Sequence, residues 1–272
     1  MRLNSTDDVV HSDTSMKELK FFSTEHLHED TILLSFHDES SRNSLSLNAA
    51  KELDELIINA SIKNIKSILF TAKGRVFCSG GNLRDYSSMQ EAREGTQVNQ
   101  QIGLILDRFS KCPIQTLALV DGDCFGGGIE LLSAFDFVIS SPHVLFAFWQ
   151  RRVGLTFGWG GGERLKKRMS QHELVRLAMS AEVFGSAKAC QLGLVDRVAP
   201  KGALLDMAME YVNRNRQLPQ APLTYLKKWQ GGERTEQKLF ESLWWAPEHR
   251  EALKKVHAST HGRRKRNQSD DQ

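Results

Sequence analysis

Two spacings of apolar residues alternate along the chain. Short apolar or β-branched runs at Lys20 to Glu25, Thr31 to His37, Ser67 to Thr71, Gln115 to Val120, Phe137 to Ser140 and Val144 to Phe148 predict strands. Between them, Leu47 to Ile62 places Leu53, Leu56 and Ile57 on one face, and Thr96 to Phe109 is helical in the same way. Such alternation predicts parallel strands joined by crossover helices, hence an α/β core. A polar stretch from Asp85 to about Gly95 reads as a mobile loop. Past Gly162 the pattern is helical, over Gln171 to Ser180, Ala187 to Leu192, Ala203 to Arg214, Pro222 to Trp229 and Glu233 to Lys255. The expected organisation is a disordered leader (1–16), a ββα core (17–200), a helical C-terminal region (201–261) and a disordered basic tail (262–272).

Two apolar runs lead into glycine-rich turns, Phe77-Cys78-Ser79-Gly80-Gly81-Asn82-Leu83 and Phe125-Gly126-Gly127-Gly128-Ile129-Glu130-Leu131. A turn without side chains lets a ligand reach the backbone, and a helix start leaves N–H groups pointing outward with the positive dipole end behind them. Two such turns can aim two donors at one oxygen and so hold charge developing on a carbonyl. Glu130 lies three residues past Gly127, close to one helical turn, so its carboxylate can share their side. The plainer readings are tight strand-to-helix packing for the glycines and a dipole-stabilised first-turn acid for Glu130. Two turns together with one carboxylate favour chemistry.

At 272 residues the chain can bury a sizeable core. Its formal charge of +3 comes partly from Arg263-Arg264-Lys265-Arg266 and argues for neither a nucleic-acid nor a membrane partner. Cys78, Cys112, Cys124 and Cys190 lack CxxC spacing, and His37, His172, His249 and His257 do not cluster, so no metal site or disulfide framework is expected. The leader lacks the order of a signal peptide, and no apolar run nears the roughly 20 residues of a membrane span. A reducing, cytoplasmic setting is expected.

Taken in order, Arg42-Asn43-Ser44-Leu45, Phe77 through Leu83, Gly122 through Glu130, Gly154 through Leu165 and Ala187 through Val195 resemble the crotonase superfamily of enoyl-CoA hydratases and isomerases. The resemblance runs from about Phe22 to Val256. It implies a crotonase-like spiral of ββα repeats with a helical C-terminal region, assembly as a homotrimer or homohexamer, and an acyl-CoA thioester substrate that passes through an enolate. Coenzyme A enters as part of the substrate, and no separate cofactor is implied. Carried over by position, the backbone N–H groups of Ser79 and Gly127 are the oxyanion donors, and Glu130 matches the first of two catalytic glutamates. The Arg42 to Leu45 segment passes the adenine end of coenzyme A, with Arg42 as a phosphate contact. Ser44, Gly80, Gly81, Gly126 and Trp159 fall in the implied substrate-binding segments.

At one place the sequence departs from the hydratases. Aligning Gly154 and the Gly160-Gly161 pair puts Gln150 where a hydratase carries its second catalytic glutamate, and glutamine exchanges no proton near neutral pH. Hydration divides its proton work between two carboxylates. The segments Val153 to Gly161 and Leu243 to Leu253, with a tryptophan before the glycine pair and Trp-x-x-Pro near the end, resemble the ethylmalonyl-CoA and methylmalonyl-CoA decarboxylase branch. The leading expectation is a lyase that decarboxylates a short alkylmalonyl-CoA. The alternatives are an enoyl-CoA hydratase or isomerase of fatty-acid metabolism and a non-catalytic acyl-CoA or RNA-binding scaffold.

The remaining candidates have plainer readings. Phe146, Phe148, Trp149, Phe157 and Trp159 read first as core, with a subset lining an acyl pocket. Cys78 reads as a small buried residue rather than a nucleophile, and Arg151 and Arg152 as solvated or ion-paired.

Overall fold

Strand β1 (Phe22–His28) starts later than its apolar pattern suggests, because the Glu52 carboxylate takes the backbone N–H groups of Lys20, Phe21 and Phe22 at 3.1, 2.9 and 3.0 Å. The structure, a computed structural model, describes residues 19–256 apart from 231, 233 and 234. The expected leader (1–16) and basic tail (262–272) lie outside the described residues.

The following strands are β2 (Thr31–Phe36), β3 (Ser67–Ala72), β4 (Val76–Cys78), β5 (Gln115–Val120), β6 (Asp123–Phe125), β7 (Phe137–Ser140), β8 (Leu145–Ala147), β9 (Phe184–Gly185) and β10 (Arg197–Val198). They form a six-stranded sheet ordered β1-β2-β3-β5-β7-β10 and a four-stranded sheet ordered β4-β6-β8-β9. Within them β2, β3, β5, β7 and β10 pair parallel, as do β4, β6 and β8. The passes β3–β4, β5–β6 and β7–β8 each lay one strand in either sheet before a helical segment, which is the expected ββα winding. Strand β5 is buried at every position, as its unbroken run demands.

The helices are α1 (Leu47–Ile62), α2 (Leu83–Ser87), α3 (Ala92–Lys111), α4 (Gly127–Leu132), α5 (Gly161–Leu165), α6 (Gln171–Ser180), α7 (Ser186–Gln191), α8 (Leu204–Arg216), α9 (Gln220–Gln230) and α10 (Glu236–Leu243). Helix α1 starts where Ser46 accepts the Ala49 N–H at 3.1 Å on its hydroxyl, and it buries Ala49, Leu53 and Ile57 against the sheet. One face of the large sheet carries a run of phenyl rings, with Phe70 lying 5.9, 5.7 and 5.2 Å from Phe22, Phe77 and Phe135. The other face packs Leu69, Leu117, Leu119 and Ile139 against Ala208 and Val212 of α8. Lys227 pins α9 beneath the sheet, its buried ammonium lying 2.8 Å from Asp136 and 2.7 Å from the Ile114 carbonyl.

Three expectations change. The Asp85 to Gly95 stretch is not loop throughout: Asn82 caps α2 through the N–H groups of Arg84 and Asp85, and α3 begins at Ala92 rather than Thr96. The single helix expected over Glu233 to Lys255 is broken, because Trp245 adopts a positive φ of 64° and Pro247 opens a new helix over 247–256. Of the small sheet only β8 is read in the sequence, as Val144 to Phe148, while β4, β6 and β9, of two or three residues each, carry no periodicity of their own. Among the described residues no helix is long and apolar enough to cross a membrane.

Candidate active site

Parallel pairing of β4 with β6 sets the two glycine turns side by side, with Cys78 opposite Cys124. A Cβ on Gly80 would lie 3.0 Å from the Gly127 nitrogen, so the backbones touch. Gly80 and Gly126 hold φ values of 103° and 55°, conformations that side chains disfavour. Gly127 then opens α4. The first turn is also tied to the Arg42 segment, for Leu45 donates to the Gly80 carbonyl at 2.8 Å and bridges Gly81. Arg42, Ser44, Ser79, Gly80, Gly81, Gly126 and Gly127 thus form one continuous patch.

Details within that patch are less uniform. The Ser79 N–H donates to the Arg42 carbonyl at 3.2 Å, so a substrate oxygen would compete with a long internal bond for this donor. Arg42 stands exposed with a positive φ of 56°, free in position to meet an anion. Ser44 is buried and its hydroxyl has no partner among the described residues. Asn43, not singled out by sequence, holds the segment by donating to the Lys73 and Val76 carbonyls at 2.8 and 2.6 Å. Its positive φ of 51° is one that asparagine tolerates.

Glu130 is buried beside the turns, and its carboxylate is fully engaged. Gln150 and the Gly158 N–H each donate to Oε1 at 3.2 Å, while the Trp159 and Gly161 N–H groups reach Oε2 at 2.9 and 3.1 Å. A carboxylate offers about four lone-pair sites, and all are taken. Oε1, with the two longer bonds, is the oxygen most easily freed for a substrate or water. Gln150, arriving from the helical turn Trp149–Val153 after β8, lies against Glu130, and its side-chain oxygen Oε1 is buried without a partner among the described residues.

Trp159 is 3% exposed and lays its ring over the second turn: a Cβ on Gly127 would meet indole Cζ3 at 2.6 Å. Its Nε1–H donates to Asn99 Oδ1 at 2.8 Å, and the Tyr86 hydroxyl donates to the same oxygen at 2.9 Å. The Tyr86 ring covers the first turn, 2.6 Å from where a Cβ on Gly81 would stand. Burial pushes the Tyr86 phenol up, and the nearby Glu130 charge acts the same way. Arg164 stitches the rear of the site, donating to the Ser133 hydroxyl at 3.0 Å and the Glu130 and Trp159 carbonyls at 3.2 and 2.9 Å. No pattern in the chain singles out Tyr86 or Asn99: one falls in the segment read as loop, the other among polar residues of a helix.

Neighbouring residues resolve as follows. Phe146 and Phe148 are wholly buried, so they are core. Cys78 is buried and its thiol is pushed up to about 12 by that burial, which removes it as a nucleophile at neutral pH. Arg151 and Arg152 are exposed, but they have no ion-pair partner among the described residues and are not simply solvated. They donate to the Met179 and Ala181 carbonyls at the end of α6, and Arg152 lies 4.5 Å over Trp149, which stacks on Phe125 at 4.0 Å.

Fold and site together agree with one family. The sequence pattern of the enoyl-CoA hydratase/isomerase family matches residues 28–245, and the chain belongs to that family. An enoyl-CoA isomerase/hydratase of Mycosarcoma maydis is 32% identical over 157 residues, 57% of this chain and 56% of that protein, so the match spans little more than half the relative's length. An ethylmalonyl-CoA decarboxylase of Gallus gallus is 25% identical over 239 residues, 83% of this chain and 80% of that protein. Among solved structures, an enoyl-CoA hydratase of Bacillus anthracis superposes with a TM-score of 0.80 at 21% identity, over 88% of this chain and 97% of that one, which is a likeness of fold.

Proposed function

We propose that this chain turns over an acyl-CoA thioester through an enolate held at the two glycine turns, and that its reaction is decarboxylation of a short alkylmalonyl-CoA. The observation that carries this reading is Gln150 Nε2 lying 3.2 Å from Glu130, an amide where the hydratases carry a second carboxylate. Loss of CO2 breaks the bond between the α carbon and the carboxylate. The electron pair moves into the enolate and its charge onto the thioester oxygen, where the N–H groups of Gly127 and Ser79 stabilise it. One proton then returns to the α carbon from Glu130 or a water it positions. A single proton-transfer group suffices, whereas hydration needs two. Coenzyme A comes with the substrate and no further cofactor takes part.

The relative from Mycosarcoma maydis favours a second reading, isomerisation of an enoyl-CoA, in which Glu130 alone moves a proton between two carbons. Assembly as a homotrimer or homohexamer accompanies either reading and is supported by the exposed rings of Phe240, Trp244 and Trp245 near the C-terminal end. Product analysis with ethylmalonyl-CoA, methylmalonyl-CoA and crotonyl-CoA side by side tests the proposal. CO2 release with little hydration of crotonyl-CoA is the expected result. Rapid hydration without CO2 release overturns it.

A further inference from the structure

The two turns are each covered by an aromatic ring, and both rings are fastened at one atom. Asn99 Oδ1 accepts from the Tyr86 hydroxyl at 2.9 Å and from Trp159 Nε1–H at 2.8 Å. Asn99 Nδ2 meanwhile donates to the Gly95 carbonyl one turn back on α3 at 2.8 Å, which fixes the amide's orientation so that oxygen faces the rings. The rings lie against Gly81 and Gly127, where added Cβ atoms would come within 2.6 Å of them. A thioester oxygen seated at Gly127 therefore brings its acyl carbons directly up to the indole and the phenol.

We propose that Asn99 is the positioning residue that sets acyl-chain length: by clasping Tyr86 and Trp159 together it closes the acyl end of the site and restricts the enzyme to small acyl groups. This rests on the acyl-CoA reading above. A longer chain has to displace one ring, and displacing either breaks that ring's part-buried bond to the shared oxygen. Raised by burial, the Tyr86 phenol remains a donor at neutral pH, so the clasp holds there. Tyr86 sits on the five-residue α2, which makes its side the one that opens.

Binding of inert saturated thioesters separates this claim from the reaction itself. Affinities of free coenzyme A and of acetyl-, butyryl-, hexanoyl- and octanoyl-CoA are measured by calorimetry for the parent chain, Asn99→Leu, Asn99→Asp and Tyr86→Phe. The parent should favour butyryl- over octanoyl-CoA. Asn99→Leu, which removes the shared acceptor, should shift that ratio at least tenfold toward octanoyl-CoA while leaving free coenzyme A affinity unchanged. Asn99→Asp keeps an acceptor oxygen but gives up the Nδ2–H bond to the Gly95 carbonyl that orients it, so its ratio should fall between those of the parent and Asn99→Leu. Tyr86→Phe frees only one ring and should shift the ratio part of the way, so it decides the matter if Asn99→Leu does not fold. An unchanged chain-length profile in folded Asn99→Leu, or in Tyr86→Phe where that variant decides, overturns the clasp alone. Failure of the parent to bind any of these thioesters overturns the acyl-CoA reading and the clasp with it.

Discussion

Gln150 and Glu130, twenty residues apart in sequence, meet at 3.2 Å through amide and carboxylate. The contact places a group that cannot exchange a proton against one that can. Replacing Gln150 by Glu sets two carboxylates at that distance, and like charges so close retain a shared proton. Crotonyl-CoA hydration should rise from background, and release of CO2 from alkylmalonyl-CoA should fall. The new acid has its folded-state pKa raised, so the variant's melting temperature relative to the parent should fall as pH rises above the ordinary glutamate value of about 4.3. A melting difference that ignores pH would show that the two side chains do not face each other.

Glu130 has a structural task as well as a proposed chemical one. Changing it to Gln turns one oxygen into an NH2 group that faces N–H donors now served by the carboxylate. Each donor left buried and unpaired costs about 1–3 kcal/mol, so the melting temperature should drop. Turnover per folded molecule should fall by roughly 10²–10⁴ if Glu130 also handles the proton. A lower melting temperature with normal turnover of the folded fraction would reduce Glu130 to a brace for residues 158–161.

Legibility in the sequence followed the length of each pattern. Helix α1 was readable end to end, because one apolar face runs through Leu47–Ile62. Strand β5 was equally plain. Three-residue β4 and β6 were hidden, although the glycine turns they deliver stood out because glycine clusters have a backbone use independent of periodicity. The same holds at the site. The family resemblance, through Gly154 and the Gly160-Gly161 pair, put Gln150 where a hydratase carries its second glutamate, and the fold sets it against Glu130, whereas Asn99 looks like any polar residue on α3 until the fold brings Trp159 to it from sixty positions away.

Asp30 offers a measurable acid limb. Burial alone would raise its pKa, but the Thr31 hydroxyl and the Arg216 guanidinium, each 3.0 Å away, outweigh that and hold the carboxyl below its usual value. A depressed folded pKa stabilises the fold above the unfolded value of about 3.9, and the contribution disappears as pH falls through the folded value. Asp30→Asn should therefore be less stable than the parent at neutral pH, by about 1 kcal/mol or less for a pair this close to solvent. The two should converge in acid. Denaturation at pH 7 and below pH 3 checks the sign, and a gap that widens in acid would contradict it.

The proposed oxyanion role of the Gly127 N–H can be separated from the contact of Gly127 with Trp159 by comparing two substitutions. Alanine keeps the N–H but drives a Cβ toward indole atoms that stand 2.6 and 2.7 Å from its position, so Trp159 must shift. Overpacking of this kind costs about 1–3 kcal/mol, and kcat/KM should fall roughly tenfold or more as the ring moves. Proline adds the same Cβ and also deletes the N–H, while suiting the first position of α4. Loss of an oxyanion donor is worth about 10²–10³ in kcat, so Gly127→Pro should be slower than Gly127→Ala by that factor. The measurement is single-turnover rate at saturating thioester for both folded variants. Equal rates would remove the Gly127 N–H from the oxyanion site and leave only its contact with Trp159 to explain why glycine stands there.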